Sequence, residues 1–338
     1  MKHKKIVQQE ADPKVLLFRH EAKRSIRSYL DGQGFVEIDT PYLLDANTPD
    51  PYIDPLWVKR VHGSDLQLHT SPEIWLKKAL ALGLPKIYHM GRVFRDDPPS
   101  NTHNIEFTML EWYRASATLD DLIKDCEQIF QMTHTAGKDC VEMRPLQNLR
   151  FIHTTIEELF WEYARIELSF VLNQINEGSL NALQDLLEQE KGDHLPRDAS
   201  FCDAFFHVML KYVEPNLPKD NPVVIKKWPV QLAALAAPNA HDPNYCDRFE
   251  IYLGGIEIAN AYQECNDPDV LRSRFVKENC DRQKLNKPVF TIDEDFLECV
   301  AQMQPSAGIA LGFDRLLLAL SGFVTIKKII FGCHDHEN

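Results

Sequence analysis

The feature that most restricts the fold is a pair of strand-like runs around a polar loop, between positions 86 and 114. The run "KIYHMGRVF" precedes the loop and "FTMLEWY" follows it, while the loop contains "DDPPSNTHN". β-Branched and aromatic residues favour strands, whereas Asp, Pro, Ser and Asn favour turns. The pattern therefore predicts a long hairpin.

Alternation along this hairpin would gather charged and aromatic side chains on one surface, because residues two apart on a strand share a face. The two rows are Gly91, Val93, Arg95 and Asp97, and Phe107, Met109, Glu111 and Tyr113. An aromatic ring, a carboxylate and a phenol opposite a guanidinium form a surface suited to a flat, anionic ligand. A solvated hairpin with one buried aromatic row explains this segment equally well.

Composition indicates an ordinary globular protein and argues against one class of function. The chain has 338 residues, 44% of them hydrophobic and 26% charged, which is enough for one large domain or two ordinary ones. Its formal net charge is −13, which counts against broad nucleic-acid binding because that function needs a basic surface. A nucleotide would have to be held by local arginines and a metal ion.

The cysteines and apolar runs predict a cytoplasmic protein. Eight cysteines are scattered without a C-x-x-C pair or zinc-like spacing to histidine, as is typical of free thiols in a reducing compartment. The start, "MKHKKIVQQEADPK", lacks the apolar centre of a secretory signal, and no apolar run approaches the ~20 residues of a membrane span.

Helical patterns occur on both sides of the hairpin. Apolar residues recur at helical spacing over 15–31, which leaves 1–14 as an N-terminal tail. In "TSPEIWLKKALALGLP", Ser71 is expected to cap a helix whose first residue is Pro72. Another helix is expected at about 119–133, and the stretch from about 140 to 240 is predicted to be a largely helical insertion.

A second hairpin, "DRFEIYLGGIEIANAYQE", is unusually rich in carboxylates and is expected to turn at Gly254-Gly255. Asn260, Tyr262 and Glu264 share parity, but Glu257 does not. If all of them face one ligand, a β-bulge must lie between Glu257 and Asn260. A long helix should follow, and then "AGIALGFDRLLLAL", a short strand leading into an amphipathic helix.

Three segments in this order resemble the signature motifs of class II aminoacyl-tRNA synthetases. They are "FRHEAKRSIRSYLDGQGFVEIDTP", "VFRDDPPSNTHNIEFTMLEWY" and "GIALGFDRLLLAL". "TSPEIWLKKAL", "HNIEFTMLEWY" and "RFEIYLGGIEIANAYQE" are most similar to lysyl-tRNA synthetase. The resemblance implies an α+β fold, with an antiparallel sheet flanked by helices.

The resemblance is closest to a truncated branch, the elongation factor P–lysine ligases (the GenX/PoxA family). The first motif begins near residue 15, so no anticodon-binding domain is expected before a catalytic domain at 15–338. Ala310 stands where true lysine synthetases usually have glycine, and its methyl group implies a preference for β-lysine over α-lysine. The family would activate lysine, here (R)-β-lysine, as an adenylate with ATP and transfer it to a lysine side chain of elongation factor P.

The resemblance assigns Arg95 and Arg315 to catalysis, because Arg95 would bridge the substrate carboxylate and the α-phosphate while Arg315 would reach the γ-phosphate. Glu250 and Glu257 would bind Mg²⁺. Asp97 occupies the place of a family glutamate that contacts adenine, and it is one methylene shorter. The full ATP-binding set is Arg95, Asp97, His103, Asn104, Phe107, Glu257, Ile258, Gly312 and Arg315.

For the amino acid, the resemblance assigns Glu73 and Glu264 to the two ammonium groups, with Tyr113 sharing the side-chain ammonium and Asn260 holding the carboxylate. The full substrate-binding set is Ser71, Pro72, Glu73, Tyr113, Asn260, Tyr262, Glu264 and Ala310. Ala261 replaces a family glycine and Tyr262 replaces a phenylalanine, so the shape of the pocket departs from the family pattern.

Each residue also has a purely structural interpretation. Glu73 would complement its helix dipole, worth ~0.3–1 kcal/mol, and Arg315 would pair with Asp314 or be a solvated helix charge. Glu250 and Glu257 would be charges that protect an edge strand, and Phe107 would belong to the core. Each structural interpretation is credible by itself. All four together, at positions that match the family, are not.

Two other functions fit the same motifs: a free-standing synthetase paralogue that charges tRNA, and a catalytically dead paralogue. The net charge of −13 argues against the tRNA-binding alternative. The first motif is a dimer element in this family, so the resemblance also implies a homodimer in which 15–31 and 35–40 meet across a two-fold axis.

Overall fold

The computed structural model describes residues 12–98, 100–146, 149–196 and 198–332. The chain divides into two compact units, residues 1–145 with 263–338, and residues 146–262. Residues 1–11 of the expected tail at 1–14 lie outside the described residues. The predicted boundaries of the catalytic domain and its insertion stay a prediction.

The first unit begins with the predicted amphipathic helix. Asp12 caps this helix and Val15, Phe18, Ala22 and Ile26 are on its buried face. The elements of this segment are α1 (Pro13–Gly32), β1 (Val36–Glu37), β2 (Leu43–Leu44), β3 (Trp57–Val58), β4 (Leu66–Leu68), α2 (Glu73–Ala81), β5 (Lys86–Phe94), β6 (Glu106–Ala115) and α3 (Leu119–Gly137).

The start of α2 corrects one prediction, because Ser71 is not its N-cap. The cap position is Pro72, with φ −81° and ψ 2°, and no side chain caps the helix. The turn before it is held instead by a buried amide, since the Thr70 N–H donates to Asn47 Oδ1 at 2.9 Å. The acidic Glu73 is therefore the first helical residue, where it faces the positive end of the helix dipole.

The second unit contains the predicted helical stretch, broken into short pieces. Three of its four α-helices continue directly into π-helical turns, at 160–164, 187–191 and 209–213. The elements are β7 (Ile152–Thr155), α4 (Ile156–Leu159), α5 (Leu168–Asn176), α6 (Ala182–Leu186), α7 (Phe201–Val208), β8 (Val223–Pro229), β9 (Tyr245–Leu253) and β10 (Ile256–Gln263).

The chain then returns to the first unit, where β10 ends. The closing elements are α8 (Pro268–Lys284), α9 (Glu294–Gln302), β11 (Ser306–Gly312) and α10 (Phe313–Ser321). The sequence patterns predict α8, β11 and α10, whereas α5 and α9 emerge only in the structure.

Within the first unit the strand order is β1-β5-β6-β11, and β2, β4 and β3 form a separate small sheet. The predicted hairpin is confirmed, because β5 and β6 pair antiparallel from Lys86↔Arg114 to Phe94↔Glu106. In the second unit the order is β10-β9-β8-β7. Antiparallel strands predominate and helices accompany them, so the expected α+β class is confirmed.

Candidate active site

Arg95 lies directly after β5, where the sequence places it. Its guanidinium carbon lies 5.4 Å from the centroid of the Phe107 ring, a cation–π distance. Its backbone N–H donates to Ile105 O at 2.9 Å, and Nε donates to Thr70 O at 3.3 Å. Phe107 is half-buried, and the hairpin places the two side chains together at its loop end.

Arg315 meets the loop of this hairpin rather than its neighbour Asp314. Arg315 Nη2 lies 2.5 Å from His103 Nε2, and Asp314 binds Arg19 while accepting from Thr108 N–H at 2.7 Å. Asp314 therefore ties α10 to α1 and β6. The structural interpretation of Arg315 as the partner of Asp314 is wrong.

The remaining nucleotide candidates of the first unit lie around the same loop. Asp97 is half-buried and His103 exposed, while Asn104 is buried and its Nδ2 donates to Glu106 O at 2.6 Å. The nearest atoms that a Cβ on Gly312 would meet belong to the Arg315 side chain, the first at 3.4 Å, which is ordinary van der Waals contact. Protein packing therefore does not by itself require glycine there.

Glu73 and Glu264 come together around a lysine that the sequence patterns did not single out. Lys77 Nζ lies 2.7 Å from Glu73 Oε1 and 2.6 Å from Glu264 Oε2. The Lys77 and Glu264 side chains are each 1% exposed. Backbone bonding fixes Glu264, because its N–H donates to Ser306 O of β11 at 2.8 Å.

Glu111 and Tyr113 complete this group on β6. The Tyr113 hydroxyl donates to Glu111 Oε1 at 2.7 Å, and its sharing of the substrate's side-chain ammonium with Glu264 stays a prediction. We call Glu73, Lys77, Glu111, Tyr113 and Glu264 the acidic cluster. Position 308 must be glycine for this cluster to form. A Cβ there would lie 2.3 Å from the Tyr113 ring and 2.4 Å from Glu264 Oε1.

Burial raises the pKa of two carboxyls of the acidic cluster, Glu111 and Glu264. Burial and the charge of Glu73 raise the pKa of Glu111 to about 8. Burial also raises the pKa of Glu264 to about 7, although the Lys77 ammonium opposes the rise. Among the described residues, Glu111 Oε2 and Glu264 Oε1 accept no hydrogen bond. These buried oxygens therefore lack donors that an ammonium group could supply.

The other predicted substrate residues of this unit border the acidic cluster. Ala310 pairs with Glu111, and Gly308 pairs with Tyr113, so Ala310 shares the face of β11 that meets the cluster. Ser71 is half-buried and Pro72 buried in the turn before α2. The role of Ala310 in choosing between lysine isomers stays a prediction.

The second unit contains a separate arginine-centred group. Arg248 Nη2 donates to Glu250 Oε1 at 2.5 Å, and Arg248 Nε donates to Asn260 Oδ1 at 3.2 Å. The Tyr252 hydroxyl donates to Glu250 Oε2 at 2.9 Å. The Arg248 guanidinium also lies 5.6 Å from the Tyr262 ring centroid. We call Arg248, Glu250, Tyr252, Asn260 and Tyr262 the arginine cluster.

The predicted bulge is present and brings these residues to one face. The register of β10 against β9 shifts between Glu257 and Ala259, which leaves Ile258 as the inserted residue. Glu257 then pairs with Tyr252, and Asn260 pairs with Glu250. Without this insertion, Glu257 would point to the opposite face from Asn260.

Carboxylates crowd around Glu257. Burial and the charge of Glu257 raise the pKa of Glu250 to about 7, and the same two causes raise the pKa of Glu214. In the part of the chain that the structure describes, no three His, Cys, Asp or Glu side chains form a complete metal-binding group. A divalent ion here would need further oxygen ligands from phosphate, as Mg²⁺ commonly has.

Sequence reasoning missed Lys77, Gly308 and Arg248 as site residues. Lys77 follows Glu73 by four residues, the spacing of an ion pair on a helix, and this signal was available. Nothing in the sequence indicates that Lys77 also reaches Glu264. Gly308 and Arg248 carry no local signal, because their importance depends on strand register.

Comparison with known proteins shows the family to which the chain belongs. The family model for tRNA synthetases class II (D, K and N) matches residues 2–334. The chain is 32% identical over 330 residues to elongation factor P–(R)-β-lysine ligase of Haemophilus influenzae (strain PittGG), covering 96% of both chains. The ligase of the same name from Baumannia cicadellinicola subsp. Homalodisca coagulata is 33% identical over 312 residues, 90% of both chains. The chain therefore belongs to the class II tRNA synthetase family (D, K and N), in the group of the elongation factor P–(R)-β-lysine ligases.

Proposed function

We propose that this protein uses ATP to activate lysine, as (R)-β-lysine, and transfers it to a lysine side chain of elongation factor P. The observation that carries the proposal is the acidic cluster, in which two buried carboxylate oxygens, Glu111 Oε2 and Glu264 Oε1, accept no hydrogen bond within the described part of the chain. A substrate with two ammonium groups supplies the missing donors. The names of the relatives supply the acceptor protein.

The reaction has two steps that need no nucleophilic side chain. In the first, an oxygen of the lysine carboxylate attacks the α-phosphorus of ATP, and the bond to pyrophosphate breaks. In the second, a deprotonated amine of the acceptor attacks the carbonyl carbon, and AMP leaves with the electrons of the carbon–oxygen bond. Positioning and charge stabilisation account for most catalysis of this kind.

Arg95 is placed for the first step. A guanidinium can bind carboxylate and phosphate oxygens at the same time through its planar fork. In this structure its partner is the Phe107 ring, the same ring that we assign to stacking on adenine. Arg315, held against His103, is assigned to the terminal phosphate.

The second unit provides the carboxylates for Mg²⁺. Glu257 raises the pKa of both Glu250 and Glu214, so a cation beside Glu257 would relieve repulsion between neighbouring carboxylates. The residues therefore fit a divalent ion whose remaining ligands are phosphate oxygens. When bound, Mg²⁺ would neutralise phosphate charge, while Ile258 offers backbone groups outside the regular strand ladder.

Two further assignments concern partners. We propose a homodimer formed through α1 and the strand after it, because Leu17 is 56% exposed and Val36 is 47% exposed on this segment. We also propose that tRNA is not a substrate, since the net charge is −13. No helix among the described residues has both the length and the apolar character required to cross a bilayer.

The test is exchange of labelled pyrophosphate into ATP, with (R)-β-lysine and α-lysine compared. We expect exchange that depends on the amino acid and is stronger with β-lysine, followed by a mass increase on elongation factor P. Absence of exchange with both isomers would refute the activity. Formation of lysyl-tRNA with strong salt dependence would instead identify a tRNA-charging enzyme.

A further inference from the structure

We propose that Lys77 is a positioning residue, which binds one oxygen of Glu264 so that the other oxygen stays available to the substrate ammonium. This inference rests on the proposed function, because it concerns how the same site binds its amino acid. Lys77 itself would not touch the substrate or the reacting atoms.

The geometry separates the two oxygens of Glu264. Oε2 lies 2.6 Å from Lys77 Nζ. Neither oxygen accepts a hydrogen bond of regular geometry from the described residues, but the ion pair with Lys77 is made by Oε2. Oε1 lies 2.4 Å from the point where a Cβ on Gly308 would sit. Lys77 is therefore on one side of the carboxylate, and Gly308 of β11 is on the other.

Lys77 cannot simply be a solvated surface charge. Its side chain is 1% exposed, and its ammonium is shared by Glu73 and Glu264. Although burial alone would lower the pKa of Lys77, these two carboxylates raise it overall. The lysine is therefore charged, and a buried charge persists only when it is paired.

The charge balance explains why the site needs this cation. The ionisable groups around Lys77 are Glu73 on α2, Glu111 and Tyr113 on β6, and Glu264 after β10. Glu278 on α8 is a further neighbour. Its pKa is raised mainly by burial and by the charge of Asp50, and the charge of Glu73 adds a smaller contribution. Near neutral pH the raised pKa of Glu111, about 8, keeps that carboxyl protonated. Lys77 therefore balances the carboxylates of Glu73 and Glu264 before the substrate binds. With Lys77 in place, Glu264 can be ionised before the substrate arrives.

The arrangement also makes displacement of Lys77 unnecessary. Its ammonium is fixed from α2 by the i,i+4 pair with Glu73, whereas Glu264 Oε1 lies on the Gly308 side. A substrate ammonium can therefore bind Oε1 while Lys77 stays on Oε2. A purely structural lysine would matter for folding but would leave the pH dependence of substrate binding unchanged.

The experiment is Lys77→Met in the pyrophosphate-exchange assay, with the KM for lysine and for ATP measured from pH 6 to 9. Loss of the counter-ion makes Glu264 harder to ionise. We expect the KM for lysine at pH 7 to rise about 10- to 100-fold, and its pH midpoint to move up by about one unit or more. The KM for ATP should stay within about twofold, and Lys77→Arg should restore most of the lysine affinity.

Lys78→Met is the matched control. Lys78 is the next residue on α2 and also forms an ion pair, with Asp293 at 2.7 Å. Its removal should leave the pH profile for lysine unchanged. A wild-type profile in Lys77→Met would overturn the inference, and tighter lysine binding would show that Lys77 competes with the substrate. Absence of exchange in the wild-type enzyme would refute the proposed function instead.

A second comparison decides the question even if Lys77→Met does not fold. In a Glu264→Gln background the carboxylate charge that Lys77 serves is gone, so adding Lys77→Met removes both partners of the pair. Loss of both partners is far milder than loss of one. We expect the single and the double variant to share the same KM for lysine within about twofold, and a further large loss in the double variant would overturn the inference.

Discussion

Glu111→Gln should change how the stability of the protein depends on pH. Burial and the Glu73 charge raise the pKa of Glu111 from its usual 4.5 to about 8. Between these two values the folded protein holds a proton that the unfolded chain releases. Stability therefore falls as the pH rises through this window. Glutamine cannot ionise, yet its side-chain oxygen can still accept the hydrogen bond from the Tyr113 hydroxyl.

The size of the effect follows from the interval between the two pKa values, 4.5 and about 8. At about 1.4 kcal/mol for each pH unit, full ionisation of this one carboxyl costs on the order of 5 kcal/mol. That cost is a large share of the 5–15 kcal/mol that typically stabilises a folded domain. Because the pKa of the neighbouring Glu264 is also raised, to about 7, the loss is spread over a wider range than a single group would show.

The assay is urea unfolding of wild type and Glu111→Gln at pH 5, 6, 7, 8 and 9, without substrate. The free energy of unfolding of the wild type should fall with pH more steeply than that of the variant, by up to about 1 kcal/mol per unit. Glu127→Gln, on the exposed face of α3, is the control and should parallel the wild type. Parallel slopes for wild type and Glu111→Gln would show that Glu111 is already ionised in the folded protein.

Three further outcomes are expected in the exchange assay. Ala310→Gly should raise kcat/KM for α-lysine about 10- to 200-fold and change kcat/KM for β-lysine less, because one methyl group is worth that much discrimination. If the ratio of kcat/KM for the two isomers stays unchanged, Ala261 and Tyr262 become the candidates for selectivity. Arg95→Lys should lower kcat/KM for both isomers by roughly 100-fold, since the charge remains but the bidentate fork is lost; a loss confined to one isomer would contradict this role. Chelation of Mg²⁺ should abolish pyrophosphate exchange, while calorimetry should still detect lysine binding. Exchange that survives chelation would refute the assignment of Glu257 as a metal ligand.

Local patterns account for much of the fold that positions the site. The hairpin, the helix 119–133 and the turn at Gly254-Gly255 follow from turn chemistry and periodicity, and the structure has all three. The bulge was predictable from the parity of the residues that must share a face. Glu257 and Asn260 have opposite parity, so only an inserted residue lets both face one ligand, and the register shift lies between them.

The rest of the site could not be read from the sequence because it depends on contacts between distant segments. Lys77 and Glu264 are 187 positions apart, and nothing local to either residue indicates the 2.6 Å pair. The prediction that Ser71 caps α2 was wrong for a different reason. Ser71 has the right residue type, but Pro72 takes the cap position, so a buried amide at Asn47 holds the turn in its place.

A comparison of the two carboxylates that pair with buried cations indicates how the two clusters divide their roles. Glu264 pairs with Lys77, and Glu250 pairs with Arg248. Burial raises the pKa of each carboxyl to about 7. They differ in the second oxygen, because Tyr252 donates to Glu250 Oε2 whereas Glu264 Oε1 has no donor in the described part of the chain. Glu264 can accept a new ammonium without losing a bond.

In Glu250, by contrast, each oxygen already accepts a hydrogen bond, from Arg248 or from Tyr252. A metal ion would compete with these donors, and displacing one would leave a buried polar group without its partner, which typically costs 1–3 kcal/mol. Glu257 is half-buried and therefore loses less hydration when it binds a cation. We accordingly expect Glu257 to make the first contact with Mg²⁺. Glu250 would join only when the phosphates of ATP add the charge that offsets the cost.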